Sequence, residues 1–149
     1  MVEGKNDPEP IGSRKLTEIK VREVMNKRPR TVRADTSIDG LFERILSQIE
    51  ACFPVVDKDK RLIGIITESD LFQVLHPRPD AREALKYLAR TVGDIMTKRP
   101  VSVTPDMTID EAMNLMAEHR FRRLPVVEGG KLVGLLSLRD IIELHRILR

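Results

Sequence analysis

Tryptophan does not occur in this chain, and tyrosine occurs once. Aromatic residues make up 3% of the 149 positions, so platforms on which bases could stack are scarce. Net charge is small as well. The 26 basic and 23 acidic residues leave +3, a mixed surface rather than a basic stripe, although the sequence pI is about 9.2. Both observations count against a nucleic-acid interface. The single cysteine, Cys52, rules out an intramolecular disulfide and suits a reducing compartment. No apolar run approaches the roughly 18 residues of a membrane span. The opening stretch MVEGKNDPEP has no apolar signal-peptide core. The expectation is a cytoplasmic protein without membrane contact.

Catalytic signatures are missing too. There is no G-x-x-x-x-G-K-[ST], G-x-G-x-x-G or G-x-S-x-G. His76, His119 and His145 have no cysteine or acidic neighbours at metal-ligand spacing, so neither a metal site nor a catalytic cofactor is expected. Asp35/Asp39 and Asp106/Asp110 could pose as catalytic carboxylate pairs. Their place at helix starts explains them better, and no enzyme activity is expected.

What the chain does contain is a copy of itself. Val21-Arg-Glu-Val-Met25-Asn-Lys-Arg-Pro29 returns 71 positions later as Val92-Gly-Asp-Ile-Met96-Thr-Lys-Arg-Pro100. The offset holds through Val32/Val103, Asp35/Asp106, Ile38/Ile109 and Pro54-Val55-Val56/Pro125-Val126-Val127. One residue is then lost, and Leu62/Leu132, Gly64/Gly134, Thr67/Ser137 and Asp70/Asp140 follow at 70. Two copies are too few for a solenoid. They predict two units packed face to face about a pseudo-twofold axis.

Each copy predicts the same elements. Residues 30–33 and 101–104 are strand candidates. Ile38, Leu41, Phe42, Ile45 and Ile49 recur at helical spacing, as do Ile109, Ala112, Met113 and Met116. Ser37 and Thr108 are the caps, the latter with Glu111 as a capping box. The apolar runs 53–56 and 62–66, then 124–127 and 132–136, read as buried hairpins, the second turning at Gly129-Gly130. Leu71, Phe72, Val74 and Leu75, then Ile141, Ile142, Leu144 and Leu148, mark closing helices. Domain bounds follow: a flexible tail over 1–17, a first unit over 18–76, a linker over 77–91 and a second unit over 92–149. The linker should carry a short helix capped by Asp80, with Ala81, Ala84, Leu85 and Leu88. Paired positions make Met25 and Met96 core residues, and Cys52 a structural thiol at the head of a buried strand.

In each copy V-x-x-x-M, a strand, D-x-[ST]-I-D, P-V-V and G-h-h-[TS]-x-x-D (h, apolar) follow in that order. Doubled, this resembles a tandem pair of cystathionine-β-synthase (CBS) domains, a Bateman module. The resemblance covers about residues 18–76 and 90–149 and implies an α/β (α+β) fold of two β-α-β-β-α units in pseudo-twofold arrangement. It also implies a regulatory function. An adenosine-type ligand (AMP, ADP, ATP or S-adenosylmethionine, with or without Mg2+) would sit in clefts between the repeats, and an unidentified partner would read its presence. No attached partner domain is seen in the sequence, so the module is expected to stand alone. Each repeat has two amphipathic helices, more apolar face than two small units can cover, and related modules pair into a flat disk; a homodimer is expected.

The resemblance also implies site residues. Asp70 and Asp140 would accept hydrogen bonds from ribose hydroxyls, and Thr67 and Ser137 would contact phosphate. A hydroxyl three residues before a carboxylate is equally what a helix start needs, and the two roles can coexist. Arg122 and Arg123 would reach the phosphate, where the first copy has Ala51 and Cys52; the two clefts should therefore differ. Were both arginines on the strand, alternation would send only one into the cleft. Thr31, Val32, Arg33, Ala34 and Ile38, and likewise Ser102, Val103, Thr104, Pro105 and Ile109, would line the adenine clefts. Two rival readings stay open: a nucleic-acid-binding CBS protein, which steep salt dependence would favour, and a ligand-free dimerisation scaffold.

Overall fold

Two hairpins with nearly unbroken apolar strands set the architecture. A computed structural model describes residues 12, 14–47, 52–76 and 90–148. The first repeat forms β1 (Val32–Arg33), α1 (Ile38–Leu46), β2 (Phe53–Val56), β3 (Leu62–Ile66) and α2 (Glu68–Leu75). The second forms α3 (Val92–Ile95), β4 (Thr97–Lys98), α4 (Ile109–His119), β5 (Arg123–Glu128), β6 (Lys131–Ser137) and α5 (Leu138–Ile147). A 3-10 turn at Val21–Glu23 precedes them. The result is a mixed α/β fold with two sheets, ordered β1-β2-β3-β4 and β5-β6. Most of the expected tail, the 77–89 stretch with its Asp80-capped helix, Ile49 and Ala51 lie outside the described residues.

Local chemistry accounts for the elements. Ser37 and Thr108 accept from the amides of Gly40 (3.0 Å) and Glu111 (3.1 Å), capping α1 and α4. Gly129 and Gly130 take φ of +59° and +80°, as a two-residue turn with right-handed twist requires. The first hairpin turns instead on Asp57, whose carboxylate accepts from the amides of Asp59 (2.8 Å) and Arg61 (3.0 Å). Both hairpins shift register at equivalent places, Val55/Val56 and Val126/Val127. The candidate strand at 30–33 is realised as Val32–Arg33, parallel to β2. That at 101–104 shrinks to one parallel bridge, Val103 to Val126.

The packing units are not the sequence repeats. Ile19 and Val21 are buried in a core with Val103, Ile109, Leu124, Leu136 and Ile141 of the second repeat. Val92 and Ile95 are buried with Val32, Leu41, Phe53 and Ile66 of the first. Each V-x-x-x-M segment has crossed to the other copy's core. The backbone repeats this reciprocally. The Val21 amide donates to the Met107 carbonyl (2.8 Å) and the Val92 amide to that of Thr36 (2.8 Å). Arg22 donates to Pro105 (3.0 Å) and Gly93 to Ala34 (2.8 Å). The hairpin turns also meet, Leu62 donating to Gly130 (3.3 Å) and Leu132 to Lys60 (2.9 Å). Paired contacts of this kind are what a twofold operator produces.

Glycine makes the crossing possible. A Cβ on Gly64 would lie 2.5 Å from Met96 Sδ and 3.0 Å from the Thr97 carbonyl oxygen. On Gly134 it would lie 2.5 Å from Met25 Sδ and 2.9 Å from the Asn26 carbonyl oxygen. The two methionines thus fill notches left by the glycine of the opposite repeat, beside the cores as their pairing predicts.

A carboxylate caps the start of each crossing segment. Glu23 receives the Arg14 side chain, then the Lys20 amide (2.9 Å), and lies below the ordinary range of a glutamate. Asp94 is likewise lowered, by the Arg90 amide (3.0 Å), then the amide (3.0 Å) and hydroxyl (3.1 Å) of Thr91. A lowered folded-state value stabilises the protein above the unfolded-state value, and that stabilisation disappears as pH falls through the folded one.

Two expectations follow from the crossings. Gly134→Ala should destabilise the fold by about 1–3 kcal/mol in chemical denaturation, because the Asn26 backbone cannot yield as the methionine side chain can. Met25→Ala should recover only part of it. The double variant Glu23→Gln, Asp94→Asn should lose less stability than wild type between about pH 5 and pH 3. Equal acid sensitivity in both proteins would show that these caps do not stabilise the crossing segments.

Candidate functional site

Each β-strand to helix junction ends in a hydroxyl and a carboxylate. At the start of α2 the carboxylate of Asp70 accepts from the Thr67 amide (2.8 Å) and hydroxyl (3.0 Å). At the start of α5 Asp140 accepts from the Ser137 amide (2.9 Å), and the Ser137 hydroxyl accepts from the Asp140 amide (3.1 Å). Both motifs therefore cap helices, as the local reading requires.

The two junctions then diverge. Thr97, brought over on β4, donates its hydroxyl to Asp70, 3.1 Å from Oδ1 and 3.4 Å from Oδ2. The equivalent of Thr97 in the first repeat is Asn26, whose side-chain oxygen instead accepts from the Arg28 amide (3.0 Å). Asp70 is only 8% exposed and is the one buried charged side chain among the described residues. A carboxylate offers about four lone-pair sites, so Oδ1 keeps accepting capacity beyond Thr97.

Asp70 and Thr97 open onto a cleft of about 680 Å³ between the repeats. That lies within the range of small-molecule sites, about 300–1,000 Å³. One wall comes from the first repeat: Cys52, Ile65, Thr67, Glu68, Ser69, Asp70 and Gln73. The other comes from the second: Thr97, Arg99, Pro100, Val101, Arg120, Phe121, Arg122, Arg123 and Pro125. The pseudo-twofold relates this cleft to a position bounded by Ser137, Asp140 and the stretch 26–30. Residues 49–51, the equivalent of Arg120–Arg122 in that wall, lie outside the described residues.

The placement of the sequence candidates is uneven. Thr67, Asp70, Arg122 and Arg123 meet in the one cleft, and Cys52 lies in the same cleft at the position matching Arg123. Both arginines line it because β5 begins at Arg123, leaving Arg122 free of strand alternation. Ser137 and Asp140 do not line it, although Ser137 pairs with Arg123 across the second hairpin. The stretches expected as adenine walls are engaged elsewhere. Val32, Val103 and Ile109 are core residues, and Ile38 packs against the first core. The carbonyls of Ala34 and Pro105 receive the crossing segments, and that of Thr31 accepts from Arg44 (2.5 Å). Arg33, Ser102 and Thr104 are exposed outside the cleft. Arg99–Val101, just upstream, line the cleft, because the crossing lays that stretch beside the first repeat's sheet. Thr97 and Arg99 lay in the repeated M-[NT]-K-R-P echo, and Arg120 and Phe121 next to the arginine pair. Both signals were visible, but neither says which repeat the segment faces.

The CBS domain family profile matches residues 21–77 and 92–146. The uncharacterized protein YlbB of Bacillus subtilis is 35% identical over 112 residues, 71% of this chain and 70% of that protein. The uncharacterized protein MJ1426 of Methanocaldococcus jannaschii is 31% identical over 150 residues, 83% of this chain and 89% of that protein. The crystal structure of CBSX2 in complex with AMP matches with a TM-score of 0.77 at 26% identity, covering 88% of this chain and 99% of that one. CBSX2 is a CBS-pair protein from Arabidopsis thaliana. With two matched repeats, exchanged segments and a cleft between them, the chain belongs to the CBS domain family and is a tandem CBS pair.

Proposed function

We propose that this pair is a regulatory module that binds an adenosine-type ligand in the cleft between the repeats and reports its presence to a partner. The observation that carries the reading is Asp70, a buried carboxylate with spare accepting capacity, facing arginines of the other repeat across the cleft. Ribose hydroxyls would donate to Asp70, the amides at the start of α2 would offer positive potential, and the arginines would meet phosphate. The AMP complex of CBSX2, a structure of the same fold, supports the choice of ligand class. A ligand touching both walls stabilises one arrangement of the repeats, by no more than its difference in affinity between arrangements. The polar groups of the cleft serve as caps and anion donors, which suits a sensor rather than an enzyme. A cytoplasmic location is part of the same reading; no described helix is long and apolar enough to cross a membrane.

The module also pairs with a second copy. Phe72 and Leu75 on α2 are 64% and 71% exposed, and Ile142 and Ile147 on α5 are each 60% exposed. Phe72 and Ile142 are equivalent positions, so each repeat turns one apolar helix face outward. A second copy brings a matching pair of faces to cover them.

Calorimetric titration with AMP tests the ligand site. Asp70→Asn keeps an acceptor for the helix cap but removes the charge, and should weaken binding about 10- to 100-fold. Undiminished AMP affinity in the Asp70→Asn, Asp140→Asn double variant would sink the assignment. Light scattering at tens of micromolar should give twice the chain mass of 17.0 kDa, and Phe72→Asp with Ile142→Asp should give the monomer. A monomeric wild type would remove the second copy from the proposal.

A further inference from the structure

Three non-glycine residues among those described have positive φ: Lys60, Arg99 and Arg120. Lys60 lies in a hairpin turn. Arg120 closes α4, where a left-handed residue is an ordinary helix cap. Arg99 has neither reason. Its φ is 51°, and it precedes Pro100, a position that favours extended backbone. The chain contains its own control. Lys27-Arg28-Pro29 repeats Lys98-Arg99-Pro100 residue for residue at the equivalent place in the fold, and Arg28 does not have positive φ. The tripeptide alone does not impose the conformation: Asn26 caps the Arg28 amide in the first copy, whereas Thr97 turns to Asp70 in the second, and a positive-φ residue at the edge of a cleft points to use of its side chain.

Arg99 lines the cleft together with Arg120, Arg122 and Arg123. None of the four makes an ion pair or side-chain hydrogen bond within the described residues. The acidic residues of the lining, Glu68 and Asp70, stand on the wall of the first repeat. The cleft is therefore polarised, with carboxylates on one wall and four unpaired guanidiniums on the other. One or two forked guanidiniums satisfy a single phosphate. Four need a longer anion, which also relieves their mutual repulsion.

We propose that Arg99 is a specificity-determining residue that, with the other three arginines, selects ligands carrying two or more phosphates in a chain. This rests on the adenosine reading of the cleft and narrows it to nucleoside polyphosphates.

The experiment is calorimetry of wild type and Arg99→Gly with adenosine, AMP, ATP and inorganic tripolyphosphate, beside thermal unfolding of the unliganded proteins. Glycine adopts the left-handed conformation freely, so Arg99→Gly should unfold at the wild-type temperature or above it. Wild type should prefer ATP to AMP by about tenfold or more, and Arg99→Gly should lose about tenfold in ATP affinity with adenosine unchanged. AMP and ATP bound equally by wild type, or an ATP preference intact in Arg99→Gly, overturns the selection and leaves the adenosine reading standing. Tripolyphosphate binding that Arg99→Gly abolishes, with no adenosine compound bound, supports the arginine assignment and overturns the adenosine reading.

Discussion

A methionine thioether pressed onto a bare glycine backbone, twice and in opposite directions, is the contact on which the rest depends. Met96 lies over Gly64 and Met25 over Gly134. Each contact carries a chain segment out of its own repeat and seats it on the other's sheet. Once seated, that segment supplies core residues, Val92 and Ile95 on one side and Ile19 and Val21 on the other. The sheet of the first repeat gains its fourth strand in the same way, because β4 adds antiparallel to β3 at Gly64 and Ile65. Methionine suits the role, being unbranched, polarizable and able to fit an irregular notch.

The crossing also builds the cleft. Thr97 follows Met96 directly, so the residue that bonds Asp70 is placed by the packing of its neighbour. The buried carboxylate of one repeat thereby accepts from a hydroxyl on the segment that leads into the other. Anything that competes with Thr97 for Asp70 acts on the link between the repeats. The other half does not reproduce this. Asn26 folds back on Arg28, leaving Asp140 with its own cap. The two halves are alike in fold and unlike in wiring.

Much of this was legible in the residues. The paired offsets gave the pseudo-twofold, the apolar runs the hairpins, Gly129-Gly130 its turn, and Ser37 and Thr108 their caps. Local pattern decides those elements, and local pattern is what a sequence displays. The exchange was not legible, because Val21 and Val92 read as core residues whichever core receives them. For the same reason no local pattern shows that the crossing brings 99–101 to the cleft and sends Val103 and Ile109 inside. The conformation of Arg99 was hidden altogether, since an identical tripeptide adopts another one 71 positions earlier.

The reciprocal crossing bears on how such a chain could have arisen. A polypeptide of one repeat would present a glycine notch and a methionine arm that cannot fill it, for the arm reaches only a neighbouring notch. Two such half-length chains would complete each other by mutual exchange, and neither would be whole alone. Joining their genes head to tail would preserve every one of those contacts while making the partnership permanent. Freed from identity, the halves could then drift apart, one retaining Thr97 and an arginine-lined wall, the other Asn26 and Cys52. The 149-residue chain is thus built as two half-length partners would be, but as a single molecule whose halves are free to be asymmetric.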